Sequence, residues 1–250
     1  MRIYKDIVYY DQFPEDCKLD LYLPEEGDTF PVYVYFHGGG IENGSKGGYD
    51  ATAQYLTDRG FAVVSADYRM YPTAKYPEFL NDAAAAVAWV QKKSGEYATF
   101  TNIAVGGSSA GGYITMMLYF NPSFYRNQEV DPSQIKAYNF DAGQPTTHFN
   151  VLKFDRGMDS RRVWIDDAAP LFYLDKAYTA PEKEPHIVIF CADNDMVNRA
   201  EQLKMLHTAM LHMGFPEEKL TYKMFRNKRH CAYCKDEEYM EDVYQLLAKM

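Results

Sequence analysis

Two short glycine-rich stretches carry the residues best placed to do chemistry. The first is Val105-Gly106-Gly107-Ser108-Ser109-Ala110-Gly111-Gly112. Only one register fits the pattern G-x-S-x-G: Gly107, Ser109, Gly111. A start one residue earlier centres Ser108 but puts Ala110 where glycine is needed. A serine on a sharp strand-to-helix turn has its hydroxyl pushed into a cleft, and small residues two before and two after let strand and helix pass closely. The free N–H groups of the following helix lie near the charge that would develop there. Glycine-rich turns of this kind also bind phosphates, so the pentapeptide alone leaves an anion-binding turn open. The second stretch, His37-Gly38-Gly39-Gly40, follows an apolar run directly. In acyl transfer a tetrahedral intermediate carries a negative oxygen. The N–H of the residue after the nucleophile, Ala110, supplies one donor, and the backbone of Gly38 and Gly39 supplies the others. His37 reads as a structural hydrogen-bonder at the base of that loop. Two such motifs in this order point to a nucleophilic serine rather than a phosphate site.

A serine nucleophile needs a base, and in this arrangement the chain order is serine, acid, histidine. Six histidines are present, at 37, 148, 186, 207, 212 and 230. His148 falls in an irregular stretch, His186 opens a strand, and His207 and His212 lie within a helical pattern. His230 sits in the polar loop Arg226-Asn227-Lys228-Arg229-His230-Cys231, after the last strand and before the last helix, and is assigned as the base. The acid should follow the penultimate strand, within Cys191-Ala192-Asp193-Asn194-Asp195-Met196. Asp195, further into the loop, is preferred because it can reach an imidazole. Asp193 is expected to organise the turn and is kept as the alternative.

Short apolar strands alternate with helical patterns and position these residues. Strand candidates are 32–36, 62–66, 103–105, 187–190 and, more weakly, 220–225. Helical patterns cover 50–59, 81–92 (with Asn81 or Asp82 as cap), a stretch after Ala110, 199–213 ending at Gly214, and 236–249. The alternation predicts a mainly parallel sheet with helices on both faces. Residues 7–10 and 19–23 have no helix between them and read as antiparallel edge strands. The 250 residues suit a single α/β domain. Residues 143–185 interrupt the rhythm and are expected to form a lid or acyl pocket.

A formal net charge of −9 argues against nucleic acid as the main partner. No signal-peptide pattern and no apolar stretch approaching a membrane span is visible, so the expected location is the cytoplasm. Tyrosine is abundant, at 22 residues, and is read as compositional habit more than as a cleft lining. Cys231-Ala-Tyr-Cys234 forms a CxxC, but no second CxxC or HxxxH supplies further ligands. All four cysteines are read as reduced thiols, with no metal expected. Oligomeric state is left open, a homodimer being compatible.

Together, His37-Gly38-Gly39-Gly40, Asp67-Tyr68-Arg69, Gly107-Ser108-Ser109-Ala110-Gly111-Gly112, Asp195-Met196-Val197 and His230 resemble the hormone-sensitive-lipase-like and BD-FAE-like esterases of the α/β-hydrolase superfamily. The resemblance covers nearly the whole chain. It implies an eight-stranded, mostly parallel sheet, hydrolysis of small-molecule carboxylic esters, and no cofactor. It also supports Asp195, since that family places its acid about three residues after a small residue ending the strand, here Ala192. Many relatives carry an acidic residue where this chain has Ser108. The short chain leans towards the compact BD-FAE type, which includes acetyl and carbohydrate-ester esterases. Short acyl groups, acetyl to butyryl, are expected because no strongly apolar lid is visible. The alternatives are an arylformamidase similar to kynurenine formamidase, disfavoured by Ile41 where a tryptophan is usual, and a non-catalytic ligand binder, disfavoured by the presence of His230.

Overall fold

The computed structural model describes residues 1–92, 94–174, 178 and 180–250. One eight-stranded sheet, in the order β1-β2-β4-β3-β5-β6-β7-β8, runs through the molecule. β1 (Arg2–Val8) and β2 (Lys18–Leu23) pair antiparallel, and β2 joins β4 (Ala62–Ala66) antiparallel. From β4 onward the strands are parallel: β3 (Thr29–Phe36), β5 (Thr99–Ser108), β6 (Ile135–Asp141), β7 (His186–Asn194) and β8 (Leu220–Arg229). The fold class therefore agrees with the sequence reading, antiparallel edge included.

Apolar runs buried on both faces explain the central strands; Val32, Val34, Val63, Val64 and Val105 are all fully buried. On one face α1 (Asp50–Thr57) and α7 (Glu237–Leu247) cover a core containing Leu56, Val243 and Leu247. On the other lie α2 (Glu78–Lys92), α3 (Ala110–Phe120) and α6 (Arg199–His212), packing Phe79, Ile114, Leu203 and Leu206. Each such side chain contributes about 1.5–3 kcal/mol by leaving water. The short helices α4 (Ser123–Asn127) and α5 (Phe149–Phe154) lie in the connections before and after β6. α6 is closed by Gly214 at φ +91°, as its place after the helical pattern suggested.

Four points of the sequence reading need correction. α2 begins at Glu78 rather than near Asn81, its carboxylate accepting from the Lys75 N–H at 2.8 Å. Asp82 is no cap: it lies inside the helix, fully buried, in a two-pronged ion pair with Arg69 (2.8 Å on each prong). β6 was not among the strand candidates, because the buried polar residues Asn139 and Asp141 interrupt its apolar run. β8 does not stop at Phe225. It continues to Arg229 through an irregularity at which Asn227 adopts φ +57°, so His230 stands at a strand end and not in a free loop. Within 143–185 the structure shows α5 and short 3₁₀ turns at Pro170–Tyr173 and Pro181–Lys183; residues 175–177 and 179 of that stretch lie outside the described residues.

Candidate active site

Parallel register brings five strand ends to one edge of the sheet. Phe36 pairs with Gly107, Ser108 with Asp141, Asp141 with Phe190, and Asn194 with Arg229. The segments that leave these ends carry His37 to Gly40, Ser109, Asp195 and His230. A crevice at the carboxyl ends of the strands is where open α/β sheets bind ligands.

Ser109 holds φ +57°, ψ −111°, outside the regions open to ordinary residues. Its backbone is fixed from both sides: its N–H donates to the Asp141 carbonyl at 2.8 Å, and its carbonyl accepts from the Tyr113 N–H at 3.0 Å. The turn is possible because α3 passes tightly over β3; a Cβ on Gly111 would lie 1.9 Å from the Phe36 carbonyl oxygen. Ser109 Oγ is 2.7 Å from His230 Nε2, and His230 Nδ1 is 2.5 Å from Asp195 Oδ1. The Asp195 side chain is 1% exposed and its carboxylate also accepts from the backbone N–H groups of Met196 (2.7 Å) and Ala192 (3.3 Å). Burial alone would raise the Asp195 carboxyl, but the hydrogen bond from His230 outweighs it and the group sits below its ordinary range. Burial likewise opposes charge on His230, yet Asp195 and the Cys231 thiol hold the imidazole above its ordinary range. Asp193 is elsewhere: its carboxylate accepts from the N–H groups of Asn227 (2.9 Å) and Lys228 (3.2 Å), which shapes the bend of β8. The structure thus joins Ser109, His230 and Asp195 and leaves Asp193 to the turn.

Beside them runs the glycine loop. Gly38 packs on Ser109, where an added Cβ would lie 3.2 Å from Ser109 Cβ. Gly39 takes φ +114° and its carbonyl accepts from Glu42 and Asn43, a turn in which a Cβ would collide with the Asn43 carbonyl. His37 does support this loop: Nδ1 lies 2.7 Å from the Gly38 carbonyl, and the ring stacks on Tyr68 at 4.4 Å. The other histidines stay apart; His148 is buried and caps α5 by accepting from the Asn150 N–H.

Several supports were invisible in the sequence. The Tyr68 hydroxyl donates to the His37 carbonyl at 2.8 Å, which with the Arg69–Asp82 pair explains why Asp67-Tyr68-Arg69 stands at the end of β4. Asn150 donates its amide to the Gly40 carbonyl and to Glu42, both at 2.6 Å, and clamps the far end of the loop. Behind Ser109, buried Asp141 accepts from Ser108 Oγ, from Tyr233 (2.5 Å) and from Cys234 (3.3 Å). The Asp141 carboxylate thus reaches Ser108 from the neighbouring strand. The cleft holds about 470 Å³ between the glycine loop, Ser109, Phe149, Met196 and His230. A second cavity of about 490 Å³ shares Phe149 and Met196 with it.

This sheet order, with a sharp strand-to-helix turn at Ser109 after β5 and Asp195 and His230 after β7 and β8, defines the α/β-hydrolase fold. The BD-FAE family model matches residues 19–210, and the chain belongs to that family. The carboxylesterase NlhH of Mycobacterium tuberculosis is 35% identical over 120 residues, 47% of this chain and 38% of NlhH. The gibberellin receptor GID1A of Arabidopsis thaliana is 34% identical over 119 residues, 45% of this chain and 34% of the receptor. The matches thus span well under half the length of these curated relatives. Esterase 2 of Thermogutta terrifontis superposes with a TM-score of 0.79 at 22% identity, over 99% of this chain and 94% of that one, which establishes the shared fold. No helix among the described residues is long and apolar enough to cross a membrane.

Proposed function

We propose that this protein is a serine carboxylesterase that hydrolyses short-chain esters through Ser109, His230 and Asp195. The observation that carries the reading is the continuous chain of contacts Ser109 Oγ–His230–Asp195 at 2.7 and 2.5 Å, opening on a cleft beside the glycine loop. Ser109 Oγ attacks the ester carbonyl while His230 Nε2 takes its proton. Asp195 holds Nδ1–H and stabilises the imidazolium. The N–H groups of Gly38, Gly39 and Ala110 receive the oxyanion, each worth about 3 kcal/mol. His230 then returns the proton to the leaving alcohol, and water repeats the sequence on the acyl-enzyme. The cleft is floored by glycine and rimmed by Phe149 and Met196, and the lack of a strongly apolar lid in the sequence supports an acetyl to butyryl group. The alcohol, an acetylated sugar among the candidates, extends towards the second cavity, where Val163 lies beside the half-exposed Trp164.

Similarity to both an esterase and a hormone receptor makes the intact serine–histidine contact the discriminating feature. Hydrolysis of p-nitrophenyl esters from acetate to decanoate is measured for the wild type and for Ser109→Ala. The expected result is turnover of the short esters, lost in the variant. Preference for long-chain emulsions would overturn the acyl assignment. Inactivity on every ester would overturn the esterase, and turnover of N-formylkynurenine in its place would establish the formamidase.

A further inference from the structure

The mechanism leaves one chemical cluster unused. Directly after His230, the turn between β8 and α7 carries Cys231 and Cys234, closed by the Cys234 N–H donating to the Cys231 carbonyl at 3.2 Å. Sequence reading found no further ligand for this CxxC. The fold supplies one, because β6 ends against the turn with Asp141. The two sulfurs and an Asp141 carboxylate oxygen all lie within 4.8 Å of one another, the only such group of possible ligands among the described residues. Asp141 is fully buried, while both cysteines and Ser108 line the catalytic cleft.

We propose that Cys231, Cys234 and Asp141 form a binding site for a thiophilic divalent cation of the zinc class, with its fourth position open to the cleft. Metal–sulfur bonds of about 2.3 Å and metal–oxygen bonds of about 2.0–2.2 Å place tetrahedral ligand atoms roughly 3.5–3.8 Å apart. The Cys234 Sγ to Asp141 Oδ2 separation is already 3.3 Å. Closing the site asks only for a small movement of Cys231, which sits at the start of a four-residue turn with its own backbone at φ +55°. Binding releases the two thiol protons to solvent, and two thiolates with one carboxylate leave the loaded site at net −1, a balance a buried cation tolerates. Ser108 and Tyr233, which donate to the same carboxylate, hold it in place from outside the ligand set, as metal sites require.

The carboxylate also favours a cation over a disulfide. A disulfide has no use for a buried anion, and the negative charge beside Cys234 opposes the thiolate that exchange needs. A divalent cation turns the same charge into a ligand. Loaded, it would tie the His230-bearing turn to β6.

The test uses the full-length protein, stripped with a chelator and kept reduced, titrated with Co²⁺ as a visible probe. The expected result is a thiolate-to-cobalt charge-transfer band saturating at one ion per chain, with tetrahedral d–d bands and a rise in Tm. Zn²⁺ should displace the cobalt. Cys231→Ser and Cys234→Ser should each abolish the charge-transfer band, whereas Cys17→Ala and Cys191→Ala keep it. Asp141→Asn should weaken it, and if that variant does not fold, the cysteine variants decide alone. No band, a band that survives both cysteine substitutions, or a Cys231–Cys234 pair found already oxidised in the reduced preparation would overturn the site. The readout is spectroscopic, so it stands apart from whether the protein hydrolyses esters.

Discussion

Substituting Asp195 by asparagine and by alanine separates what its charge does from what its shape does. Oδ1 accepts from His230 Nδ1 at 2.5 Å and from the Met196 N–H at 2.7 Å, whereas among the described residues Oδ2 accepts from the Ala192 N–H at 3.3 Å. An asparagine therefore keeps its oxygen at the Oδ1 position, where two donors converge, and turns its NH₂ towards the Ala192 N–H, giving up only that longer, weaker hydrogen bond. His230 then retains the Nδ1–H tautomer, and what is lost is the charge that stabilises the imidazolium. A charge-assisted hydrogen bond is worth about 1.5–3 kcal/mol, which at about 1.4 kcal/mol per tenfold is a loss in kcat of about 10- to 150-fold. Asp195→Ala removes orientation as well, and the loss should approach about 10⁴, as in triads stripped of their acid. Asp193→Asn leaves an acceptor for the β8 backbone, and kcat should stay within about tenfold of wild type. Steady-state kinetics on a short p-nitrophenyl ester, with circular dichroism to confirm folding, reads all three. An Asp195→Asn protein as inactive as Asp195→Ala, or an Asp193→Asn protein below both, would refute the reasoning.

Backbone strain at Ser109 gives a second outcome. Because Ser109 holds φ +57°, ψ −111°, Ser109→Gly should unfold in urea at higher stability than Ser109→Ala by about 1 kcal/mol, both being inactive; equal midpoints would mean the turn is unstrained. Asp82→Ala strips the buried Arg69 guanidinium of its two-pronged partner and should cost about 3–5 kcal/mol, read from the urea midpoint. Burial and the nearby Arg199 hold the His148 imidazole well below its ordinary range, and its Nδ1 must stay unprotonated to accept from Asn150. Below about pH 6.5 the unfolded chain takes up a proton that the folded one refuses. This stability is therefore fully present above that pH and lost as pH falls, at up to about 1.4 kcal/mol per pH unit. His148→Asn should flatten that slope in pH-dependent thermal melts; an unchanged slope would assign it to other groups.

The sequence by itself determined what depends on neighbouring residues. The elbow around Ser109 and the loop after His37 are each set by glycine spacing within a few residues. Strand–helix alternation fixes a parallel sheet, and a parallel sheet puts every strand's carboxyl end on one edge. Chain order singled out His230 as the candidate that the structure brings to Ser109, and Asp195 was favoured over Asp193 by its position in the loop. What the sequence could not show depends on register between distant strands. Only the pairing of Asn194 with Arg229 brings the Asp193 carboxylate to the bend of β8 and leaves Asp195 facing the imidazole. β6 was missed because the Asn139 amide nitrogen and the Asp141 carboxylate find their partners in tyrosines, a serine and a thiol from elsewhere in the chain, so their polarity signalled a loop. The same holds for Tyr68 under His37 and Asn150 against Gly40, contacts between residues 31 and 110 positions apart. A backbone turn is a local bargain between sterics and hydrogen bonds, whereas a buried polar contact exists only once packing has brought both partners out of water.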